Sequence, residues 1–146
     1  MLIQQNLNWS GIMESQKSSC TCGSSGKSRI IYACSGIGSN VGQLANAAAC
    51  RLASEGYGGG SCLAGVGGGI GKLVDVGKAA DERMVIDGCP VACAKKIMND
   101  RGLAVDRYVL ITELGIAKTP GPAFRESDVQ TVVDAAKGRA GECGCR

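Results

Sequence analysis

A chain of 146 residues with a formal net charge of +3, 23 glycines and few aromatics is long enough to bury one aliphatic core without covalent staples. Its basic residues are scattered rather than interleaved with aromatics, which argues against a nucleic-acid face, and no apolar run is long enough to span a bilayer. Nine cysteines and no histidine are the anomaly.

The N-terminus lacks the basic-then-apolar order of a secretory signal, so a cytoplasmic location is expected. In a reducing compartment so many cysteines point to metal or thiol chemistry rather than to a disulfide framework. Without histidine, a transition-metal site must rely on sulfur, with at most a carboxylate. The usual partner of a Cys-His hydrolase is also missing.

Residues 1–28 are polar and weakly patterned, the composition of a flexible lead-in, and contain Cys20-Thr21-Cys22. A domain over 29–138 follows, then a tail over 139–146 with a second C-x-C, Cys143 and Cys145. The two pairs would chelate one ion together if the termini met, or serve as an entry relay; otherwise they are exposed metal or redox pairs or incidental.

Residues 29–34 form an apolar run that reads as a strand. After a glycine-containing turn, Asn40 is placed to cap a helix, with Gln43 as its reciprocal partner. Val41, Leu44, Ala45, Ala48, Leu52 and Ala53 recur at helical spacing and define its inner face. Cys50 falls opposite that face and reads as incidental. Residues 61–66, including Cys62, read as a second strand, 70–80 as a helix, and 83–86 as a third strand.

That strand runs into Asp87-Gly88-Cys89-Pro90-Val91-Ala92-Cys93. Gly88 permits a tight turn, and Pro90 suits the first helical position. Cys89 is then the expected N-cap, with Cys93 one turn on and facing the same way. Free N–H groups at a helix start favour thiolate over thiol. The helix extends to about residue 101, where Gly102 ends it. A fourth strand over 107–112 follows, then the Thr119-Pro120-Gly121-Pro122 linker. Ser127 and Gln130 form a capping box for a last helix to about residue 137, with Val129, Val132 and Val133 inward.

Strand–helix alternation at this spacing predicts a three-layer α/β fold. It would be an open sheet of about four mostly parallel strands with flanking helices, Rossmann- or flavodoxin-like. Ligands bind such sheets at the carboxyl rim. Cys34, Cys62, Cys89 and Cys93 all fall at or near strand ends on that rim. Four convergent thiolates suit tetrahedral Zn2+, and equally an iron–sulfur cluster. Zinc is favoured because nothing resembles a ferredoxin cysteine run.

The competing reading is a thiol oxidoreductase or sulfur-transfer enzyme, with Cys89 as nucleophile and Cys93 or Cys62 resolving the intermediate. Asp87 is expected to cap backbone N–H groups, the alternative being metal ligation or proton transfer. Glu113 is either an outer partner of the rim or a solvated turn residue. The loop after Cys34 lacks the arginine of a cysteine phosphatase loop, and the glycines after residue 64 do not have dinucleotide-binding spacing. No substrate or protein partner is legible.

Ile31-Tyr32-Ala33-Cys34-Ser35-Gly36 and Ser39-Asn40-Val41-Gly42-Gln43-Leu44 resemble the opening of a family of small proteins named for an Asp-Gly-Cys motif, the DGC-domain family. Its later blocks are matched in order by Ser61-Cys62-Leu63-Ala64-Gly65-Val66-Gly67, Lys78-Ala79-Ala80-Asp81, Ile86-Asp87-Gly88-Cys89-Pro90-Val91-Ala92-Cys93-Ala94-Lys95-Lys96 and Thr112-Glu113-Leu114-Gly115-Ile116. The likeness covers about residues 29–118. It implies zinc binding through four cysteines, which fall here on Cys34, Cys62, Cys89 and Cys93, and it implies no particular reaction.

Overall fold

A computed structural model describes residues 26–138. Four strands make one sheet: β1 (Arg29–Ala33), β2 (Gly59–Gly60), β3 (Glu82–Asp87) and β4 (Arg107–Leu110). Every pairing is parallel, and the order across the sheet is β2-β1-β3-β4. The α/β fold read from the sequence is the fold observed.

The period-2 alternation of the strands sorts their side chains into two layers. Ile31, Ala33, Met84, Ile86 and Val109 pack with α1 (Asn40–Ser54) and α5 (Glu126–Ala136). Tyr32 and Val85 face the other way, toward Val66 of α2 (Leu63–Gly67), Leu73 and Val74 of α3 (Gly71–Ala79), and Ala94 and Met98 of α4 (Cys93–Asp100). Both central strands are therefore covered on both faces, which is why they read as nearly continuous apolar runs. Each large aliphatic side chain buried here contributes roughly 1.5–3 kcal/mol.

Four local expectations are corrected. Residues 61–66 are not a strand: the edge strand is Gly59–Gly60, and Cys62 instead N-caps α2, its Sγ accepting from the Gly65 N–H at 3.4 Å. A short apolar run does not distinguish strand from helix, and a strand of two glycines leaves no side-chain pattern to read. Asn40 and Gln43 form no capping box. Asn40 Nδ2 donates to the Ala117 carbonyl at 3.0 Å, and the Thr119 N–H donates to Asn40 Oδ1 at 2.7 Å, while Gln43 Nε2 reaches the Ser35 carbonyl at 3.0 Å. A long-range tie has taken the side chain that a local cap would have used. Likewise α5 begins at Glu126, which puts Ser127 inside the helix, and Glu126 and Asp128 supply the negative charge its N-terminus favours. Strand β4 stops at Leu110, and Ile111–Leu114 form a 3-10 turn.

The amino edge of the sheet is closed by a polar cluster around Tyr57. Arg29 donates through Nη1 to the Tyr57 carbonyl at 2.9 Å, and its guanidinium stacks 4.1 Å from the ring centre. Arg107 Nη1 donates to the Tyr57 hydroxyl at 3.0 Å, and that hydroxyl donates to the Ala136 carbonyl at 3.2 Å. Glu82 pairs with Arg29 at 2.9 Å and with Arg107 at 3.7 Å. The hydrogen bond from Arg29 holds the Glu82 carboxyl below the usual glutamate range. A depressed carboxylate stabilises the fold above its unfolded pKa, and that contribution is lost as pH falls through the folded value. Glu82→Gln is expected to cost about 1.5–3 kcal/mol at neutral pH. The difference from the parent should shrink in acid, which urea denaturation at the two pH values would measure.

Candidate functional site

Strands β1 and β3 lie side by side at the centre of the sheet. From β1 the chain crosses outward to β2, and from β3 it crosses the opposite way to β4. Loops leaving such a pair diverge and open a crevice at their carboxyl ends. Cys34 follows β1 directly, its N–H donating to the Ile86 carbonyl at 2.9 Å. Cys89 lies two residues past β3, and Cys93 is the first residue of α4. Cys34 and Cys89 are half-buried, whereas Cys62 and Cys93 are exposed.

The turn carrying Cys89 is shaped by backbone contact. A Cβ on Gly88 would come within 2.7 Å of the Val41 carbonyl oxygen, and one on Gly42 within 2.2 Å of the Gly36 carbonyl oxygen. Glycine is needed at position 88 because the β3–α4 turn lies on the first turn of α1. A positive φ is not involved there; Ala92 is the one described residue other than glycine with positive φ, at 52°.

That Ala92, not Cys89, is the N-cap of α4. Residues 89–92 close a turn through the Ala92 N–H to the Cys89 carbonyl at 2.9 Å. The capping itself comes from Asp87, whose two oxygens accept from the Ala94 N–H at 2.8 Å and the Lys95 N–H at 2.9 Å. The Tyr108 hydroxyl adds a third bond to Asp87 at 3.3 Å. Asp87 is only 1% exposed, so its charge is offset by these donors and by the positive end of the helix. Capping, rather than ligation or proton transfer, accounts for this aspartate.

The electrostatics differ from a simple helix-start thiolate. Burial pushes the Cys93 thiol up, and the neighbouring Cys34, Asp87 and Cys89 push it in the same direction. Burial also drives Tyr108 up to about 12, with the Asp87 charge adding to the effect. Cys89 has a partner that sequence reasoning missed: Lys118 Nζ donates to its Sγ at 3.4 Å. The two are far apart in the chain, and an isolated lysine after the 3-10 turn carried no signal.

A cavity of about 690 Å³ opens beside the rim, with Cys34, Cys62 and Cys93 on its wall among apolar neighbours such as Leu63 and Ile97. Cys50, read as incidental, lines the same cavity, and Cys89 does not. Three of the four expected ligands thus share one hollow, and Cys89 stands outside its wall. Among the described residues no three Cys, Asp or Glu side chains stand together closely enough to hold a metal ion as they are. Glu113 is exposed on the 3-10 turn. The pairs Cys20/Cys22 and Cys143/Cys145 lie outside the described residues.

Two measurements test this account of the turn. Gly88→Ala should lower stability by about 1–3 kcal/mol, the usual cost of overpacking, because the Val41 backbone cannot swing aside. Asp87→Asn should destabilise through the lost charge-assisted cap. It should also move the Tyr108 pKa down from about 12 in a spectrophotometric titration. An unmoved titration would separate Tyr108 from Asp87.

Comparison with known proteins fits the arrangement. The chain is 35% identical over 101 residues to the anaerobic and virulence modulator AnvM of Pseudomonas aeruginosa, an alignment that covers 69% of this chain and 76% of that relative. No solved structure matches it. The DGC domain family model matches residues 30–136, a span that contains the four strands except Arg29 and all four rim cysteines. The chain belongs to the DGC-domain family.

Proposed function

We propose that this protein holds zinc between the thiolates of Cys34, Cys62, Cys89 and Cys93, and that the site reports or passes on the ion rather than pinning the fold. The observation that carries the reading is the grouping of these cysteines. Cys34, Cys62 and Cys93 line one cavity beside the carboxyl rim of the sheet, and Cys89 stands in the turn that leads into Cys93.

The donor set suits a thiophilic ion, since all four groups are sulfur and the chain has no histidine to compete. Zinc, when bound, supplies a positive centre that keeps its cysteines deprotonated. The chain contributes the rest. Asp87 fixes α4 and therefore Cys93, Gly88 sets the Cys89 turn against α1, and Lys118 offers an ammonium to Cys89. The sulfurs are not gathered in advance, so binding would draw the exposed Cys62 and Cys93 inward. That is the behaviour of an exchangeable site. The core is complete without a metal, and the Pseudomonas relative is named a modulator; the same class of role is carried over here.

The contact between Lys118 and Cys89 favours one rival, thiol–disulfide exchange with a disulfide substrate. There Cys89 would attack one substrate sulfur and expel the other as a thiol. Cys93 would then displace the bound half, leaving a Cys89–Cys93 disulfide and a fully reduced substrate. Metal analysis of anaerobically purified protein, beside a Cys89→Ser/Cys93→Ser variant, separates the readings. Zinc that falls by one ion per chain in the variant supports the proposal. Iron with acid-labile sulfide, lost in the same variant, would replace zinc with a cluster. Equal zinc in both proteins, with Cys89 and Cys93 oxidising together, would overturn it in favour of exchange.

A further inference from the structure

The sheet ends in a strand too short to close its own edge. Strand β2 is two glycines, and its ladder with β1 stops where the Ser61 N–H meets the Ile31 carbonyl at 3.1 Å. Beyond that point no strand among the described residues separates the helix layers on the two faces of the sheet. The cavity of about 690 Å³ occupies this gap. Ile31, Ala33 and Gly60 line it from the sheet, α1 lines it from one layer, and α2 and α4 line it from the other.

Helix α1 carries two faces. Val41, Leu44, Ala45, Ala48 and Leu52 are fully buried in the core. Asn46, Ala49, Cys50 and Ala53, at i, i+3, i+4 and i+7, form a second stripe, and all four line the cavity. Across from them stand Leu63 and Ala64 of α2 and Ile97 of α4. In a chain that is 20% charged, no Asp, Glu, Lys or Arg is among the described residues of this wall. A charged guest would give up its hydration here without an ion partner, and a neutral one would not. The volume also falls within the range of small-molecule sites, about 300–1,000 Å³, which are walled mostly by apolar groups with a few polar ones to fix orientation. Beside the thiols, those polar groups are Ser35, Asn46 and Ser61.

We propose that this cavity is a binding site for an uncharged, predominantly hydrocarbon small molecule, seated between the second face of α1 and the α2–α4 pair. Such a guest covers Cys34, Cys50, Cys62 and Cys93, which lie on the wall, and leaves Cys89, which does not. Its presence therefore decides which thiols meet solvent. The inference goes beyond the zinc reading and stands without it.

The experiment uses the full chain, reduced and freed of metal by a chelator, so that its outcome does not depend on zinc. Prodan, a neutral solvatochromic dye, is titrated beside the anionic anilinonaphthalenesulfonate. One prodan is expected to bind per chain with blue-shifted emission, about tenfold or more tighter than the sulfonate. Ala53→Phe and Cys50→Phe each put a ring into the hollow, the second from an exposed position that does not disturb the core. Each should weaken prodan by about tenfold or more while thermal melting stays cooperative. Half-saturating prodan should also slow alkylation of Cys62 and Cys93 by N-ethylmaleimide about twofold and leave Cys89 unchanged, as read by peptide mass mapping. Parental affinity in a folded filling variant would overturn the proposal. So would equal affinity for the sulfonate, or protection of Cys89 without protection of Cys62 and Cys93.

Discussion

The structure depends on a contact between two stretches of backbone. The turn after β3 rests on the first turn of α1 so closely that Gly88 has no room for a Cβ. This contact fixes how far the β3–α4 loop stands from the β1–α1 loop, and those two loops carry Cys34, Cys89 and Cys93. Side chains at the interface would push the loops apart and separate the sulfurs. Asp87, one residue earlier, works from the opposite side. Buried beneath the turn, it reaches over residues 88–92 to hold the first N–H groups of α4. The aspartate and the glycine of the motif are thus structural, and they serve the cysteine that follows them.

The rim is correspondingly stiff on one side and open on the other. Cys34 and Cys89 are half-buried and rest against packed core, Cys34 against both layers. Cys62 caps a helix of five residues next to the shortest strand, and Cys93 is exposed. Two of the four sulfurs thus stand half-buried against the core, and two stand exposed. Ile37 and Val91, 78% and 66% exposed, are large apolar side chains in the loops after β1 and β3.

Much of this architecture was legible in the chain. The runs ending at Ala33 and Ile86 read as strands because they are buried on both faces, and the helical spacing of Val41, Leu44, Ala48 and Leu52 gave α1 its inner side. The positions of Cys34 and Cys89 just past the carboxyl ends of β1 and β3 follow from the strand runs alone. Errors came wherever a distant contact overrode a local pattern. Asn40 reads as a cap and is instead a tie to Ala117 and Thr119, while Cys89 reads as the N-cap although Asp87, itself expected to cap backbone N–H groups, holds the start of α4. The run at 61–66 has the apolar content of a strand, yet two glycines before it already occupy the edge of the sheet. Cys50 reads as incidental and Lys118 carries no signal because a cavity wall and an ammonium–sulfur contact are assembled from elements that the sequence keeps far apart.

The Tyr57 cluster has a consequence for how the fold is connected to anything else. Because the first and last described elements end on the same tyrosine, the domain is attached to the rest of its chain by one corner, as a pendant is attached by its loop. Sequence fused at either end is tethered at the side of the sheet farthest from the crevice. Joining the two ends through a short linker and reopening the chain at an exposed turn would leave every strand pairing in place. The order of the elements along the chain is, to that extent, separable from the site they build.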